Sequence, residues 1–214
     1  MTHGGEGELT LAHVNGDALS VVETGTADLI LQGITATTLS ELTIGGGATV
    51  GVYTDTTKTT EGTVTIDAAG VLTAGDSTLL ANLVMEDDST LLTGGVEKAL
   101  HVGSTLTMGS NIALDEATLR KLDGLDNKAY FWLIDAAEDS ELLYGGSTGE
   151  DAWFDEVFSR TAYDGDYELK GDFNIVFDDV NGFGLQKFSS VPEPMTGTLS
   201  LLALMALAAR RRKH

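Results

Sequence analysis

Val64-Thr65-Ile66, closed by Asp67 and followed beyond Gly70 by Val71-Leu72-Thr73, states the unit from which most of this chain is built. The apolar-threonine-apolar triplet recurs as Leu9-Thr10-Leu11, Leu42-Thr43-Ile44 and Leu106-Thr107-Met108. A Gly, Ser or Glu stands ahead of it and a glycine or aspartate turn follows. Successive starts are 33, 22 and 42 residues apart, close to multiples of about 11, with Leu29-Ile30-Leu31 and Leu91-Leu92-Thr93 falling between. Period-2 alternation places both apolar members on one face and the threonine on the other. Strands this short cannot bury their apolar faces in one long hairpin. Stacking them as rungs of a solenoid lets each rung cover the next. The expected fold is therefore all-β: a β-solenoid, right-handed β-helix-like, with a β-sandwich as the alternative use of the same strands.

Working outward, residues 1–114 form the strand-repeat region and 115–190 change character. Asp115 to Leu122 opens on acidic residues, ends on Arg120 and Lys121, and is followed by Gly124, the charge order of a short helix. Tyr130-Phe131-Trp132-Leu133-Ile134 reads as a buried strand. Trp153, Phe154, Val157 and Phe158 recur at helical spacing after a cap at Ser147-Thr148, as core or solenoid-end packing rather than ligand binding. Tyr167-Glu168-Leu169-Lys170 and Phe173-Asn174-Ile175-Val176-Phe177 read as strands. Asn181-Gly182 then turns the chain into Phe183–Phe188, making a capping hairpin that closes an edge.

Composition narrows the function. The 214 residues carry a net charge of −21; the last 24, with four cations against Glu193, are net +3, which leaves −24 on the other 190. Such a body repels nucleic acid and anionic headgroups, so no nucleic-acid partner is expected. With no cysteine, disulfides, thiolate metal sites and thiol catalysis are excluded. The four histidines, His3, His13, His101 and His214, make no His-Glu-x-x-His pair, and no phosphate loop with its lysine is present. His101 lies in an alternating strand and reads as structural. Asp87-Asp88, Asp164-Gly165-Asp166 and Asp178-Asp179 are the densest acidic spots and the places to look for calcium. However, the EF-hand pattern is missing, and Gly4 to Leu9 only echoes a β-roll nonapeptide without its aspartate. The expectation is no catalytic residue, no metal site and no cofactor.

The last segment, 191–214, departs from all of this. Val191-Pro192-Glu193-Pro194 is held extended by its prolines and open to a protease. Residues 195–209 are 15 without a charge, apolar on all sides, and as a helix span roughly 22 Å. That is short of a hydrocarbon core of about 30 Å, a gap that snorkelling arginines narrow. Arg210, Arg211, Arg212 and Lys213 then orient it with the C-terminus cytoplasmic and the acidic body outside. The motif 191–194, the single C-terminal transmembrane helix 195–209 and the basic cluster 210–213 together resemble the PEP-CTERM sorting domain. That resemblance implies recognition by exosortase, a membrane transpeptidase-like protease of Gram-negative bacteria that make exopolysaccharide. It carries the motif's role onto Pro192, Glu193 and Pro194. The body looks like the repetitive passengers of autotransporter-like surface proteins, which implies a β-solenoid and no particular activity.

The two ends disagree, because Met1 to Gly7 has neither the basic start nor the apolar stretch of a secretory signal. A start truncated from a longer protein is expected, and a remnant lacking its functional domain is one reading of the chain. The leading expectation is an exported, envelope-associated structural or adhesive surface protein. Its partners are the exosortase-type protease, the inner membrane through the C-terminal helix before processing, and extracellular polysaccharide. The alternative is a secreted carbohydrate-active enzyme on a β-helix. An outward stripe of three or more Asp/Glu beside Lys or Arg favours the enzyme, and a Thr/Gly-lined face favours the structural role.

Overall fold

A computed structural model of the chain describes residues 2–4, 8–12, 19–23, 28–136, 142–144, 153–178 and 180–188. Strands alternate between two sheets as the chain winds. β1 (Thr2–His3), β3 (Leu19–Glu23), β5 (Ala36–Ile44), β7 (Thr63–Ala74), β9 (Asn82–Met85), β12 (Leu106–Met108) and β15 (Leu142–Tyr144) follow one another across the first sheet. β2 (Leu9–Ala12), β4 (Asp28–Gln32), β6 (Thr49–Tyr53), β8 (Ser77–Leu80), β11 (Leu100–Val102) and β14 (Tyr130–Ala136) follow one another across the second. Every neighbouring pair in these two series is parallel. The all-β solenoid is thereby realised, with winding parallel coils in place of the antiparallel sheets of a sandwich.

β5 and β7 are long enough to turn a corner. Their second halves pair with each other, and β7 continues to β10 (Thr90–Leu92), which pairs with β13 (Ala113–Leu114). The corner needs left-handed backbone, and it is supplied by the non-glycine residues Ala69, Asp88 and Asn111 at φ 63°, 62° and 56°. Hydrogen bonds stack this corner from coil to coil: the Ala69 amide donates to the Asp88 carbonyl (3.3 Å), and the Asp88 amide to that of Ser110 (3.0 Å).

The triplets do what alternation requires. Leu42, Leu72, Leu91 and Leu114 stand in register one above another, all fully buried. Val64, Leu83 and Leu106 form a second such stack. The step of about 11 residues is not a coil, however. Val64, Leu83 and Leu106 are 19 and 23 residues apart, because one coil needs a strand in each sheet. The coil from Val50 to Leu79 takes 29 residues, since Thr54–Gly62 swings out before β7.

The helix α1 (Glu116–Asp123) forms as its charge order predicts, with Asp115 as its N-cap. Parallel pairing continues past it into β14 and β15. The end is closed by a hairpin of β16 (Asp172–Asp178) and β17 (Gly182–Phe188), with β17 antiparallel to β14. Asp178 braces the turn by accepting from the Val180 and Asn181 amides, and Gly182 takes φ +83°. Phe154, Phe158, Phe173 and Phe183 close the core beneath the last coil, with ring centroids 5.2–6.2 Å apart.

Three expectations change here. Tyr167-Glu168-Leu169-Lys170 is not a strand: only an isolated bridge, Thr161 to Glu168, forms. The Asp123 carboxylate takes the Tyr167 hydroxyl (2.6 Å) and the Lys170 and Gly171 amides, which keeps that segment from extending the bridge into a ladder. Trp153 is half-exposed rather than core; it precedes the short α2 (Phe154–Val157), whose Phe154 and Val157 are buried as expected. Tyr130, placed in a buried strand, is also half-exposed. The Ser147-Thr148 cap and the tail 191–214, including the expected membrane helix, lie outside the described residues. Among the described residues no helix is long and apolar enough to cross a membrane.

Candidate functional site

Outward side chains form columns along the solenoid, and their chemistry differs by face. On the first sheet Thr38, Thr65, Val84 and Thr107 stand in register, none of them charged. Beside them run Ala36, Thr63 and Asn82, and the Asn82 amide oxygen accepts from the Thr105 hydroxyl at 2.8 Å. Among the described residues no paired column holds three carboxylates.

The acidic spots singled out in the sequence are mostly engaged in the fold. Asp87 accepts from the amide and hydroxyl of Ser110, and Asp88 from the Asn111 side chain, so this pair ties one coil's corner to the next. Asp178 braces the hairpin turn; its carboxyl is lowered by the Val180 and Asn181 amides, with Lys98 adding its charge. Asp164 and Asp166 converge with Glu116, ligand oxygens within 4.8 Å of one another. Glu116, itself half-buried, is already paired with Arg120 on α1, Asp164 and Asp166 are exposed, and the trio has no further feature that marks a metal site.

The richest constellation lies on the second sheet, at the end where the coils meet the cap. β14 sits between β11 and β17, and its outward residues are Tyr130, Trp132 and, after a register shift between Trp132 and Ile134, Asp135. His101 is the register partner of Asp135. Its Nδ1 lies 3.0 Å from Asp135 Oδ2, and Lys98 Nζ lies 3.2 Å from Oδ1. One carboxylate thus holds two cationic or donor groups, and its bond to Nδ1 directs Nε2 away. All three side chains are one-third to two-fifths exposed, so these pairs orient more than they stabilise. Glu61, where the Thr54–Gly62 excursion returns, lies within electrostatic reach of His101. Its carboxyl is raised by burial, which the positive charge of His101 only partly offsets. Its Oε2 is buried without a hydrogen-bond partner, and Oε1 fills the space a side chain at Gly103 would need.

At the other end of the same strip the Tyr130 and Trp132 rings stack with centroids 5.6 Å apart and planes 3° from parallel. Trp132 lies over Gly184 of β17; a Cβ there would come within 2.6 Å of the indole Cε3, so glycine is what seats this ring. Sequence reasoning singled out His101 only as a structural residue and did not pick out Lys98, Asp135 or Glu61, which are scattered along the chain. It took Tyr130 and Trp132 as buried, although their i, i+2 spacing around Phe131 was a signal that they share the outer face.

Val191, Pro192, Glu193 and Pro194, and Arg210, Arg211, Arg212 and Lys213, lie outside the described residues. The chain matches no protein-family model, no curated protein and no solved structure.

Proposed function

We propose that this is an exported, envelope-associated surface protein, structural or adhesive in its work and sorted through its C-terminal PEP-CTERM-like tail. The observation that carries this reading is the uncharged, threonine-lined column Thr38–Thr65–Val84–Thr107 on a parallel solenoid. A solenoid of this kind is a spacer and a display surface, and each added coil lengthens it without altering its cross-section. The tail supplies the address: residues 195–209 enter the inner membrane, 210–213 stay on the cytoplasmic side and 191–194 meet an exosortase-type protease. The body stands outside the cytoplasm and has no catalysis of its own.

Mass spectrometry of the native C-terminus tests the sorting. Cleavage at or near 191–194 is expected, and Glu193→Ala is expected to leave the tail attached. An intact tail in the mature native protein overturns processing and leaves a membrane anchor.

A second reading, a secreted carbohydrate-active enzyme on the same scaffold, is favoured by one observation. Glu61, held toward its protonated form by burial, lies within electrostatic reach of His101, whose Nδ1 is held by the Asp135 carboxylate, and a carboxyl raised in this way is what a general acid needs. Release of reducing ends from neutral polysaccharide, abolished in Glu61→Gln, separates this reading from the first.

A further inference from the structure

Four exposed or partly exposed aromatic rings gather on the outer surface of the cap, in two pairs. Tyr130 stacks on Trp132, and Trp153 meets Phe188 edge to face with centroids 5.8 Å apart. Tyr130, Trp153 and Phe188 are each nearly half-exposed, more aromatic surface than a solenoid end needs for packing, since Phe154, Phe158, Phe173 and Phe183 already close the core. Between the pairs run amides rather than charges. Tyr130 is in register with Gln186, and Gln186 with Asn174, whose side-chain oxygen is buried without a hydrogen-bond partner.

Along β14 the stacked pair leads directly to Asp135, three residues beyond Trp132 and on the order of 10 Å away at strand rise. There Lys98 and His101 are held on one carboxylate. The strip therefore offers flat π-faces at one end and fixed donors and acceptors at the other. Rings of this kind supply large, rigid, amphipathic contact area at little entropic cost.

We propose that this strip, Tyr130 and Trp132 together with Asp135, His101 and Lys98, is a binding site for a neutral, gluco-configured polysaccharide chain. A pyranose with equatorial hydroxyls carries axial C–H groups on its faces and hydroxyls at its rim. The faces match the aromatic rings, and the rim matches Asp135, His101 and Lys98. A β-1,4-linked chain is extended, as β14 is. Charge selects the neutral class: the whole chain is net −21, and the two basic groups at the polar end, Lys98 and His101, are already held by Asp135, with Asp178 near Lys98, so a uronate polymer meets repulsion. The site names the partner of the adhesive role proposed above and rests on that reading only for where the sugar is encountered.

The test uses the full chain carrying Trp153→Phe, so that Trp132, the other of its two tryptophans, reports alone. Cellohexaose is titrated against its fluorescence, with hexagalacturonate as the anionic comparison. A saturable change with cellohexaose is expected, and Tyr130→Ala should weaken binding by about tenfold, as loss of an aromatic anchor does. Tyr130→Phe should bind as the parent does, and Asp135→Asn should bind more weakly with an unchanged far-UV spectrum. No saturable change with cellohexaose overturns the proposal, as does tighter binding of the galacturonate, unaltered affinity in Tyr130→Ala, or equal loss in Tyr130→Ala and Tyr130→Phe. Normal processing of the tail in cells with no sugar binding overturns this site and leaves the sorting proposal standing.

Discussion

Burial raises the Glu61 carboxyl above the ordinary glutamate range, and the nearby charge of His101 pulls it back only in part. The folded state therefore holds its proton more tightly than the unfolded chain does. The stability linked to Glu61 is complete below the unfolded pKa of about 4.3 and is lost as pH rises through the folded value. Glu61→Gln should accordingly stabilise the protein at neutral pH, by about 1 kcal/mol after allowing for partial exposure. Urea denaturation at pH 7 and pH 4 checks this, because the advantage should vanish at the lower pH. Asp123 behaves oppositely. Burial pushes its carboxyl up, but the Tyr167 hydroxyl, the Gly171 and Lys170 amides and the charge of Lys187 outweigh that and leave it lowered. Its contribution is present above the ordinary aspartate range and lost as pH falls through the depressed value. Asp55, brought to about 2 by the Thr59 and Thr57 hydroxyls and amides, shares that sign. Asp123→Asn should cost about 1–2 kcal/mol at pH 7 and progressively less in acid, read from the same denaturation curves. None of this was legible in the sequence, since Tyr167 lies 44 residues from Asp123 and nothing local links them.

At the scale of elements, α1 is held by more than its own cap. One oxygen of Asp115 accepts from the Thr118 amide, and the other takes the Thr93 and Gly94 amides and the Thr118 hydroxyl. Asp115→Ala should therefore cost more than the ~1 kcal/mol typical of a lost cap, about 2–3 kcal/mol, measured by thermal or urea unfolding. The helix ends were readable because acid-first, base-last order and Gly124 are local signals. The tie to Thr93 and Gly94 was not, because it joins two coils. The same division holds for the strands. Alternation in Leu42-Thr43-Ile44 or Val64-Thr65-Ile66 tells which side chains go inward, yet it says nothing about which sheet a strand joins, so the spacing of the triplets overstated how often the chain stacks. The run Tyr130 to Ile134 hid its outer face because all five residues are apolar, and apolar residues on both faces conceal period 2. Tyr167 to Lys170 alternates convincingly, and the distant Asp123 takes the Lys170 and Gly171 amides that a longer ladder would use.

For the molecule as a whole, the parallel ladder of the second sheet would end on the open edge of β14 if the hairpin did not cover it. A chain ending at Gly171, lacking β16 and β17, should self-associate, and light scattering after size exclusion should show dimers or larger species where the parent stays discrete. The sequence did reveal this cap, because Asn181-Gly182 between alternating runs is a complete local instruction. The placing of the candidate sugar strip was not visible there, since Lys98, His101 and Asp135 meet only when coils stack. One contact binds the cap to what precedes it. The Lys187 ammonium donates to the carbonyls of Asp123 and Leu125 at 2.6 and 2.8 Å, closing off the C-terminal end of α1 from 64 and 62 residues away. Its nitrogen is thus withheld from amine-reactive reagents while the end of the solenoid is shut. The rate at which Lys187 is acylated, compared with that of exposed Lys170, measures how often the terminal coil comes undone, and so gives the chain a chemical record of its own fraying.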